Sequence, residues 1–287
     1  MIIERSHSYI NTLLRGVGQI MLQENAVTGL LFLAGSFYGS VLMGLATILA
    51  VLCGTLTAQI LGYDKVEIQK GLYGFSAALI GPALILYFEP VWQIWLAIII
   101  GSVVATMLQH VFIVRKIPVF TLPFVLITWG IIWLFQDVYP LVPSKLLETV
   151  VPVGQNWLFA FNGFGQVIFQ GSIFAGLLFF TGVLIQSPVS ALFGLAGALL
   201  AGILSYCFAV PTGEIGMGLF SYNAVLCAIV FAGNQVKDGL WALISVVLTL
   251  AIGLTMYHYN LTQLTFPFVA ATCTTLVFKQ LFSQQKR

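Results

Sequence analysis

Threonine hydroxyl groups recur at a fixed spacing inside two apolar stretches of this 287-residue chain. Thr121 and Thr128 lie seven residues apart, and Thr265 and Thr272 repeat that spacing. Seven residues are about two turns of an α-helix, so we expect each pair of hydroxyls on one face. A proline two residues after the first threonine of each pair lacks an amide hydrogen and is expected to disturb the helix. Hydroxyl and freed carbonyl oxygens would then form a ladder of acceptors for a solute with N–H groups, unless each hydroxyl only bonds the preceding helical turn.

Two glutamine amides also lie within otherwise apolar sequence, at Gln19 and Gln166. A polar group without a partner in hydrocarbon is costly, so each amide needs either a solute in a pore or another helix to bond. Leu22 and Phe169 follow three residues later, and a helix would place them one turn away, so that each amide is flanked by an apolar face. The pore and the interhelical contact both remain open at this point.

Phe75 and Leu79 lie four residues apart along the chain, and Tyr222 and Leu226 repeat that spacing. On a helix this spacing puts the aromatic and the leucine on the same face. Such a face either packs in the core or against lipid, or forms an apolar wall beside the polar ladder.

The composition excludes a water-soluble globule. The chain is 60% hydrophobic and 7% charged, with a mean hydropathy of +1.03, which is too little charge to cover a surface of this size. Its apolar stretches are continuous, which favours helices over a barrel of alternating strands. At about 20 residues per crossing there is room for roughly ten crossings, so we predict an all-α polytopic membrane protein. A net charge of +2 indicates no nucleic-acid partner.

Neither the cysteines nor the histidines form a recognisable catalytic or metal-binding pattern. The four cysteines are scattered through apolar sequence without CxxC spacing, at Cys53, Cys207, Cys227 and Cys273. The three histidines lie near predicted span ends without a second ligand at helical spacing, at His7, His110 and His258. Motifs such as GxSxG and HExxH are absent. We therefore predict no enzyme activity, no metal and no cofactor, and we expect the histidines to be interfacial.

An internal duplication organises the chain. The block GVGQIMLQENAVTGLLFLAG from Gly16 aligns without gaps with GFGQVIFQGSIFAGLLFFTG from Gly163, which lies 147 residues later. At the same offset GLYGFSAAL from Gly71 meets GLFSYNAVL from Gly218. Ordered blocks that share Gly and Gln in one register indicate a repeat rather than biased composition.

The threonine blocks complete the duplication, because TLPFVLITW from Thr121 pairs with TFPFVAATC from Thr265 at an offset of 144 residues. We predict a single transmembrane domain over the whole chain, with repeat A at 12–135, a linker at 136–160 and repeat B at 161–282. Each repeat contains five apolar elements, at about 26–38, 39–61, 71–87, 90–114 and 117–135, and at about 173–185, 186–210, 216–233, 238–257 and 262–282.

Five crossings per repeat would insert the two halves with opposite orientation, around a pseudo-two-fold axis in the membrane plane. Ten crossings would return the chain to its starting side. Basic residues then share one compartment, which the positive-inside rule makes the cytoplasm: Arg5, Arg15, Lys279, Lys286 and Arg287. Both termini are therefore expected in the cytoplasm, and the short polar termini favour a bacterial inner membrane.

Carboxylates within the spans would indicate coupling to protons or sodium. The acidic residues of this chain instead lie in loops or near predicted segment ends: Glu24, Asp64, Glu67, Glu89, Asp137, Glu148, Glu214 and Asp238. An uncharged pathway favours passive movement of a neutral polar solute.

Several of these blocks resemble the urea transporter family, over residues 12–282. The resemblance rests on NAVTGLLFLAG from Asn25, LGYDKVEIQKGLYGFSAALIG from Leu61, and the two threonine blocks. It implies a homotrimer in the membrane lipid, with a urea pore in each protomer at the pseudo-two-fold axis. It further implies two re-entrant pore helices, here the segments that contain Pro123 and Pro267.

The same resemblance implies a set of substrate-binding residues. They are Gln19, Leu22, Phe75, Leu79, Thr128, Gln166, Val167, Phe169, Tyr222, Leu226 and Thr272. The chain departs from the family pattern at three places, since one of the two glutamines is often Glu, the Leu22 position is often Phe, and Ser76 stands where Asn is usual.

Three alternative functions remain open: a facilitator for ammonia or small amides, a coupled secondary transporter, and a polytopic membrane enzyme.

Overall fold

The computed structural model describes residues 2–148, 158–208 and 210–284, and it is helical with no β-strand in these ranges. The chain forms two compact units, Met1–Val151 with Ile168–Gln170, and Pro152–Val167 with Gly171–Arg287. The helical content of the described residues confirms the all-α prediction. The linker predicted at 136–160 includes residues 149–157, which lie outside the described ranges.

Unit 1 contains seven α-helices within its described residues. They are α1 (Ile2–Gly18), α2 (Ala26–Gly39), α3 (Val41–Ile60), α4 (Lys65–Gln69), α5 (Phe75–Tyr87), α6 (Trp92–Val114) and α7 (Leu122–Trp133). A single 3₁₀ turn, Gln19–Met21, follows α1, and a π-helical turn, Leu134–Val138, follows α7.

Unit 2 repeats this order in its own described residues. Its helices are α8 (Phe159–Gln166), α9 (Ile173–Gln186), α10 (Pro188–Tyr206), α11 (Thr212–Gly216), α12 (Tyr222–Phe231), α13 (Val236–His258) and α14 (Phe266–Gln284). The five apolar elements predicted for each repeat correspond to α2, α3, α5, α6 and α7, and to α9, α10, α12, α13 and α14.

Helix starts are capped at equivalent positions in the two units. Asn25 caps α2 by accepting hydrogen bonds from two amides of its first turn, and Ser172 caps α9 by accepting one, from the amide of Ala175. Ser40 and Ser187 separate the next helix pair and cap α3 and α10. These side chains satisfy amides that have no partner inside the helix, which explains why the predicted bounds agree with the observed ones.

The expected ten full crossings are not supported by helix length. Within the described residues, α3, α6, α10 and α13 are long and apolar enough to cross a membrane, and the segments Tyr9–Met21 and Ala26–Gly39 would make a fifth crossing that is bent by 75°. The other apolar helices are shorter: α12 has ten residues and is therefore about 15 Å long. The bend lies between the 3₁₀ turn that follows α1 and the start of α2.

Pro123 and Pro267 lie at the starts of helices and do not interrupt them, which corrects the expectation that they disturb a helix upstream. Pro123 lies in the first turn of α7, and Pro267 is the second residue of α14. Proline is tolerated there because the amides of the first turn have no helical acceptor. A re-entrant role for these two segments stays a prediction.

Glycine allows α1 and α2 to approach closely. A β-carbon on Gly29 of α2 would collide with the carbonyl oxygen of Leu14 on α1. In unit 2 a β-carbon on Gly176 of α9 would collide with the carbonyl oxygen of Phe161 on α8. The colliding atoms belong to the backbone, so the helices would have to move apart.

Substitution Gly29→Ala is therefore expected to lower the free energy of unfolding by about 1–3 kcal/mol, the usual cost of overpacking. Thermal unfolding of the detergent-solubilised protein measures this change. Gly239→Ala is the matched control, because a β-carbon there meets no atom within 4 Å. Equal stability of the two variants would contradict the packing argument.

Candidate functional site

Gln19 lies in the 3₁₀ turn after α1, and the chain itself fixes the direction of its amide. Its Nε2 donates a hydrogen bond to the carbonyl oxygen of Lys70, at 3.0 Å. A carbonyl oxygen can only accept, so the NH₂ group must face Lys70. The Oε1 atom is thereby turned away from Lys70 as an acceptor for another donor.

The Lys70 carbonyl is available because the short helix α4 ends at a left-handed glycine. Gly71 has φ +81°, and its amide donates to the carbonyl of Ile68 while that of Leu72 donates to the carbonyl of Glu67. This pattern of bonds is the Schellman motif, which uses earlier carbonyls of the helix and leaves the last one to other donors. The Lys70 carbonyl is that last one.

Unit 2 contains the same arrangement 147 residues later. Gln166 Nε2 donates to the carbonyl oxygen of Met217, at 3.1 Å. Gly218 follows with φ +79°, and the amide of Leu219 donates to the carbonyl of Glu214. In both units, a glutamine amide donates to the last carbonyl of a short helix that ends before a glycine. We call these two equivalent arrangements the half-sites.

A second side chain supports each half-site, and the sequence analysis did not identify it. Arg15 Nη1 donates to the carbonyl oxygen of Gln69, at 3.1 Å. At the same offset, Asn162 Nδ2 donates to the carbonyl oxygen of Gly216, at 2.9 Å. The repeat register contained the signal, because both donors lie four residues before the glutamine of their half-site.

Leu22 and Phe169 do not lie on a helical face beside the glutamines, which corrects the expected one-turn spacing. Both residues adopt the left-handed conformation, with φ 60° and 59°. The amide of Leu22 donates to the carbonyl of Gln19 as the chain reverses. The Leu22 side chain is 37% exposed, and the Phe169 ring lies 6.2 Å from that of Phe124 in unit 1.

The residue after each reversal folds its side chain back onto the turn. Gln23 Nε2 donates to the carbonyl of Met21, at 2.7 Å, and Gln170 Nε2 donates to that of Ile168, at 3.1 Å. Both glutamines are buried. These bonds stabilise a strained non-glycine conformation and were also missed from the sequence.

In unit 1, Phe75 is the first residue of α5 and Leu79 follows one turn later, both buried. Thr128 on α7 is fully buried, and its hydroxyl has no hydrogen-bond partner among the described residues. The alternative that each hydroxyl bonds the preceding turn holds elsewhere, since Thr47 donates to the carbonyl four residues back. It does not hold for Thr128.

In unit 2, the corresponding helix carries more polar contacts. Tyr222 begins α12 and donates to the carbonyl oxygen of Leu264, at 2.5 Å. Thr272 is buried with its Oγ1 at 3.5 Å from the thiol of Cys227, and either atom can be the donor. Leu226 and Val167 are fully or almost fully buried. Cys227 is itself fully buried, and its thiol thus makes a polar contact in the core.

The residue after the first aromatic residue of the helix differs between the units: Asn223 follows Tyr222 in α12, and Ser76 follows Phe75 in α5. Asn223 donates to the carbonyl of Leu264 and accepts from the amide of Phe268, both at 3.3 Å. It thereby connects α12 to the start of α14. Ser76 instead donates to Gln109 of α6, at 3.2 Å. The departure at Ser76 thus removes a bridge that unit 2 retains.

The predicted site residues are shared between the two units. Unit 1 contains Gln19, Leu22, Phe75, Leu79, Thr128 and Phe169, and unit 2 contains Gln166, Val167, Tyr222, Leu226 and Thr272. None of the predicted residues is charged. That these residues line one pathway stays a prediction.

The model of one protein family, urea transporter, matches residues 10–280 of the chain. Among curated proteins, the chain is 27% identical to urea transporter 1 of Ovis aries and to that of Capra hircus, in both cases over 92% of this chain and 75% of the relative. It is 28% identical to urea transporter 1 of Rattus norvegicus, over 78% of this chain and 63% of the relative.

The hydroxyl of Thr128 without a partner makes a testable prediction about stability. A buried polar atom without a hydrogen bond costs about 1–3 kcal/mol, and Thr128→Val removes that atom while nearly keeping the shape. We expect the variant to gain up to about 1 kcal/mol in the free energy of unfolding. Thermal unfolding in detergent measures the gain. Thr47→Val is the control that should show no gain, because it removes a satisfied hydroxyl, and a loss at Thr128 as large as at Thr47 would refute the assignment.

Proposed function

This chain belongs to the urea transporter family, and from that premise we propose that it conducts urea passively across a membrane through the two half-sites. The observation that carries the proposal is the orientation of Gln19 and Gln166. Each amide gives its N–H donor to a backbone carbonyl of its own unit. Each therefore offers its oxygen to a solute.

Urea matches this pattern of acceptors. It is planar and neutral, with four N–H donors at its edges and two apolar faces. Amide, hydroxyl and carbonyl oxygens can accept those donors in turn, and apolar side chains can contact the faces. In this proposal Thr128 and Thr272 supply the hydroxyls, and Leu79 and Leu226 supply apolar contact. The hydrogen bonds with water that urea gives up on entering the pathway are replaced without any charged group.

An ion would not be compensated in such a pathway. The predicted site residues carry no charge, and moving an ion into a low-dielectric slot without a counter-charge is strongly unfavourable. Coupled transport is likewise not favoured, because α3, α6 and α10 contain no carboxylate and the one acidic residue of α13, Asp238, lies in its first turn. A carboxylate at the end of a span is poorly placed for coupling across it.

We further propose a homotrimer, with each protomer holding its own pathway, in a bacterial inner membrane with cytoplasmic termini. The trimer is supported by the family resemblance, and the orientation by the basic residues near both ends of the chain. Light scattering of the purified protein in detergent measures the mass of the assembly. Reporter fusions to the C-terminus in a bacterial host test the orientation.

Passive transport predicts a distinctive end point in proteoliposomes. Urea should enter far faster than into protein-free liposomes, and its internal concentration should stop at the external value. A pH or sodium gradient should not change this end point, because no carboxylate couples the flux. Stopped-flow light scattering measures entry, and radiolabelled urea measures the final concentration.

Accumulation of urea above the external concentration would contradict passive transport. Entry no faster than in protein-free liposomes would refute the function itself. Acetamide, which keeps one amide and replaces the other with a methyl group, should enter more slowly, since it has two N–H donors where urea has four.

The hydroxyl ladder predicts the effect of removing each threonine oxygen. Thr128→Val and Thr272→Val should each lower the urea flux by about fivefold, the factor that corresponds to one hydrogen bond of about 1 kcal/mol. Thr275→Val is the matched control on α14, because its hydroxyl donates to the carbonyl of Ala271. Flux that is unchanged in both test variants would refute the role of the threonines.

A further inference from the structure

The position that contacts Thr272 in unit 2 carries an apolar residue in unit 1. Cys227 of α12 lies beside Thr272, with its sulfur 3.5 Å from the hydroxyl oxygen. At the offset of 147 residues, Ile80 of α5 occupies the position of Cys227. Both side chains are fully buried. The repeat therefore matches Thr128 with an isoleucine where it matches Thr272 with a thiol.

Ile80 lies where α5, α6 and α7 meet. A β-carbon on Gly101 of α6 would lie 3.4 Å from the γ2 methyl groups of both Ile80 and Ile127, and Ile127 directly precedes Thr128 in α7. An isoleucine side chain neither donates nor accepts a hydrogen bond. This accounts for the buried hydroxyl of Thr128, which has no partner in the described part of the chain.

Hydrogen-bond counting gives the direction of the Thr272 proton. The sulfur of Cys227 also lies 3.9 Å from the carbonyl oxygen of Phe268, which can only accept. A thiol has one proton, so both contacts form together only when Cys227 donates to Phe268 and Thr272 donates to the sulfur. Thr272 then has only the lone pairs of its oxygen left for a solute.

Two further hydroxyl groups support this direction. Ser245 and Thr249 of α13 lie beside the same thiol, and they make no hydrogen bond of ordinary geometry with the described residues. Three hydroxyl protons around one sulfur favour the sulfur as their acceptor, with its own proton directed to the carbonyl. In unit 1 the equivalent positions, 144 residues earlier, are Gly101 and Ala105, which have no polar side-chain group.

We propose that Ile80 and Cys227 are positioning residues that set which part of the solute each threonine binds. The inference rests on the proposed function of Thr128 and Thr272. Beside Ile80, Thr128 keeps its proton for the carbonyl oxygen of urea and can still accept an N–H group. Beside Cys227, Thr272 donates its proton to sulfur and can only accept N–H groups. At these threonines, unit 1 therefore recognises the carbonyl oxygen of the solute and unit 2 recognises only its amide hydrogens.

Infrared spectroscopy of the full-length protein tests the proton direction without any solute. The S–H stretching band of Cys227 is isolated by subtracting the spectrum of the matching Cys227→Ser variant. In Thr272→Val the band should stay near its wild-type frequency, because the thiol still donates to the Phe268 carbonyl. A shift to the frequency of an unbonded thiol would mean that Cys227 donates to Thr272, and it would overturn the proposal.

Thiourea tests the selectivity in proteoliposomes. It keeps the four N–H donors of urea and has sulfur, a weaker acceptor, in place of the carbonyl oxygen. Thr128→Val should therefore lower the ratio of urea flux to thiourea flux by about twofold or more. Thr272→Val should slow both solutes and leave the ratio unchanged. Because both fluxes are measured on the same proteoliposomes, the ratio does not depend on the amount of active protein.

Variants at position 80 test the positioning residue itself. Ile80→Cys copies unit 2 and gives Thr128 a sulfur acceptor, so it should lower the flux ratio by about twofold. Addition of Thr128→Val to this variant should lower the ratio no further. Ile80→Val is the matched control, because it shortens the side chain without adding a polar group, and it should keep the wild-type ratio.

Two outcomes of the flux measurements would overturn the proposal: equal ratios in Ile80→Cys and Ile80→Val, or an equal change of the ratio in Thr128→Val and Thr272→Val. Absence of urea flux in the wild type would refute the proposed function, and the selectivity with it. The infrared band would still decide the direction of the Thr272 proton on its own.

Discussion

Both half-sites depend on one interaction, the hydrogen bond from a glutamine amide to the last carbonyl of a short helix. The bond forms because α4 and α11 are each followed by a glycine with positive φ, which turns the chain and leaves that carbonyl free of the helix. Inside a membrane the glutamine donor needs such a partner. Because the chain satisfies the donor, the proposed function assigns the remaining amide oxygen to urea. In this proposal the site favours a solute with many N–H donors, because the N–H donors of the glutamines are already bonded to backbone carbonyls.

The two units share the backbone geometry of this hydrogen bond and differ in the side chains around it. Arg15 and Asn162 hold equivalent carbonyls, yet the first carries a charge. Unit 2 contains Asn223 as a bridge between α12 and the start of α14, while Ser76 bonds α6 instead. Duplication preserves the glycines and glutamines that define the half-site, and the side chains that support it have diverged. The two half-sites therefore share a backbone geometry and differ in the side chains that support it.

Much of this arrangement follows from the sequence, and the remainder has identifiable physical causes. Apolar runs predict the helices, and the repeat offset identifies Gln19 and Gln166 as equivalent. The reversal at Leu22 could not be predicted, because a non-glycine residue with positive φ is unfavourable locally and is held only by contacts such as that of Gln23. Pro123 was expected to disturb a helix, but it lies in the first turn of α7. Proline is compatible with a first turn as well as with a break, so the sequence alone does not distinguish the two. Backbone acceptors such as Lys70 carry no side-chain signal at all.

The buried hydroxyls differ in whether their own helix supplies an acceptor. Hydroxyls of Thr47, Ser205 and Thr275 donate to the carbonyl four residues earlier and are satisfied within their own helices. Thr128 is equally buried, has the same choice of acceptor and does not take it. Leaving that bond unmade costs stability. In the proposed function, urea supplies the missing partner of Thr128, whereas at Thr272 urea competes with the contact to the Cys227 thiol.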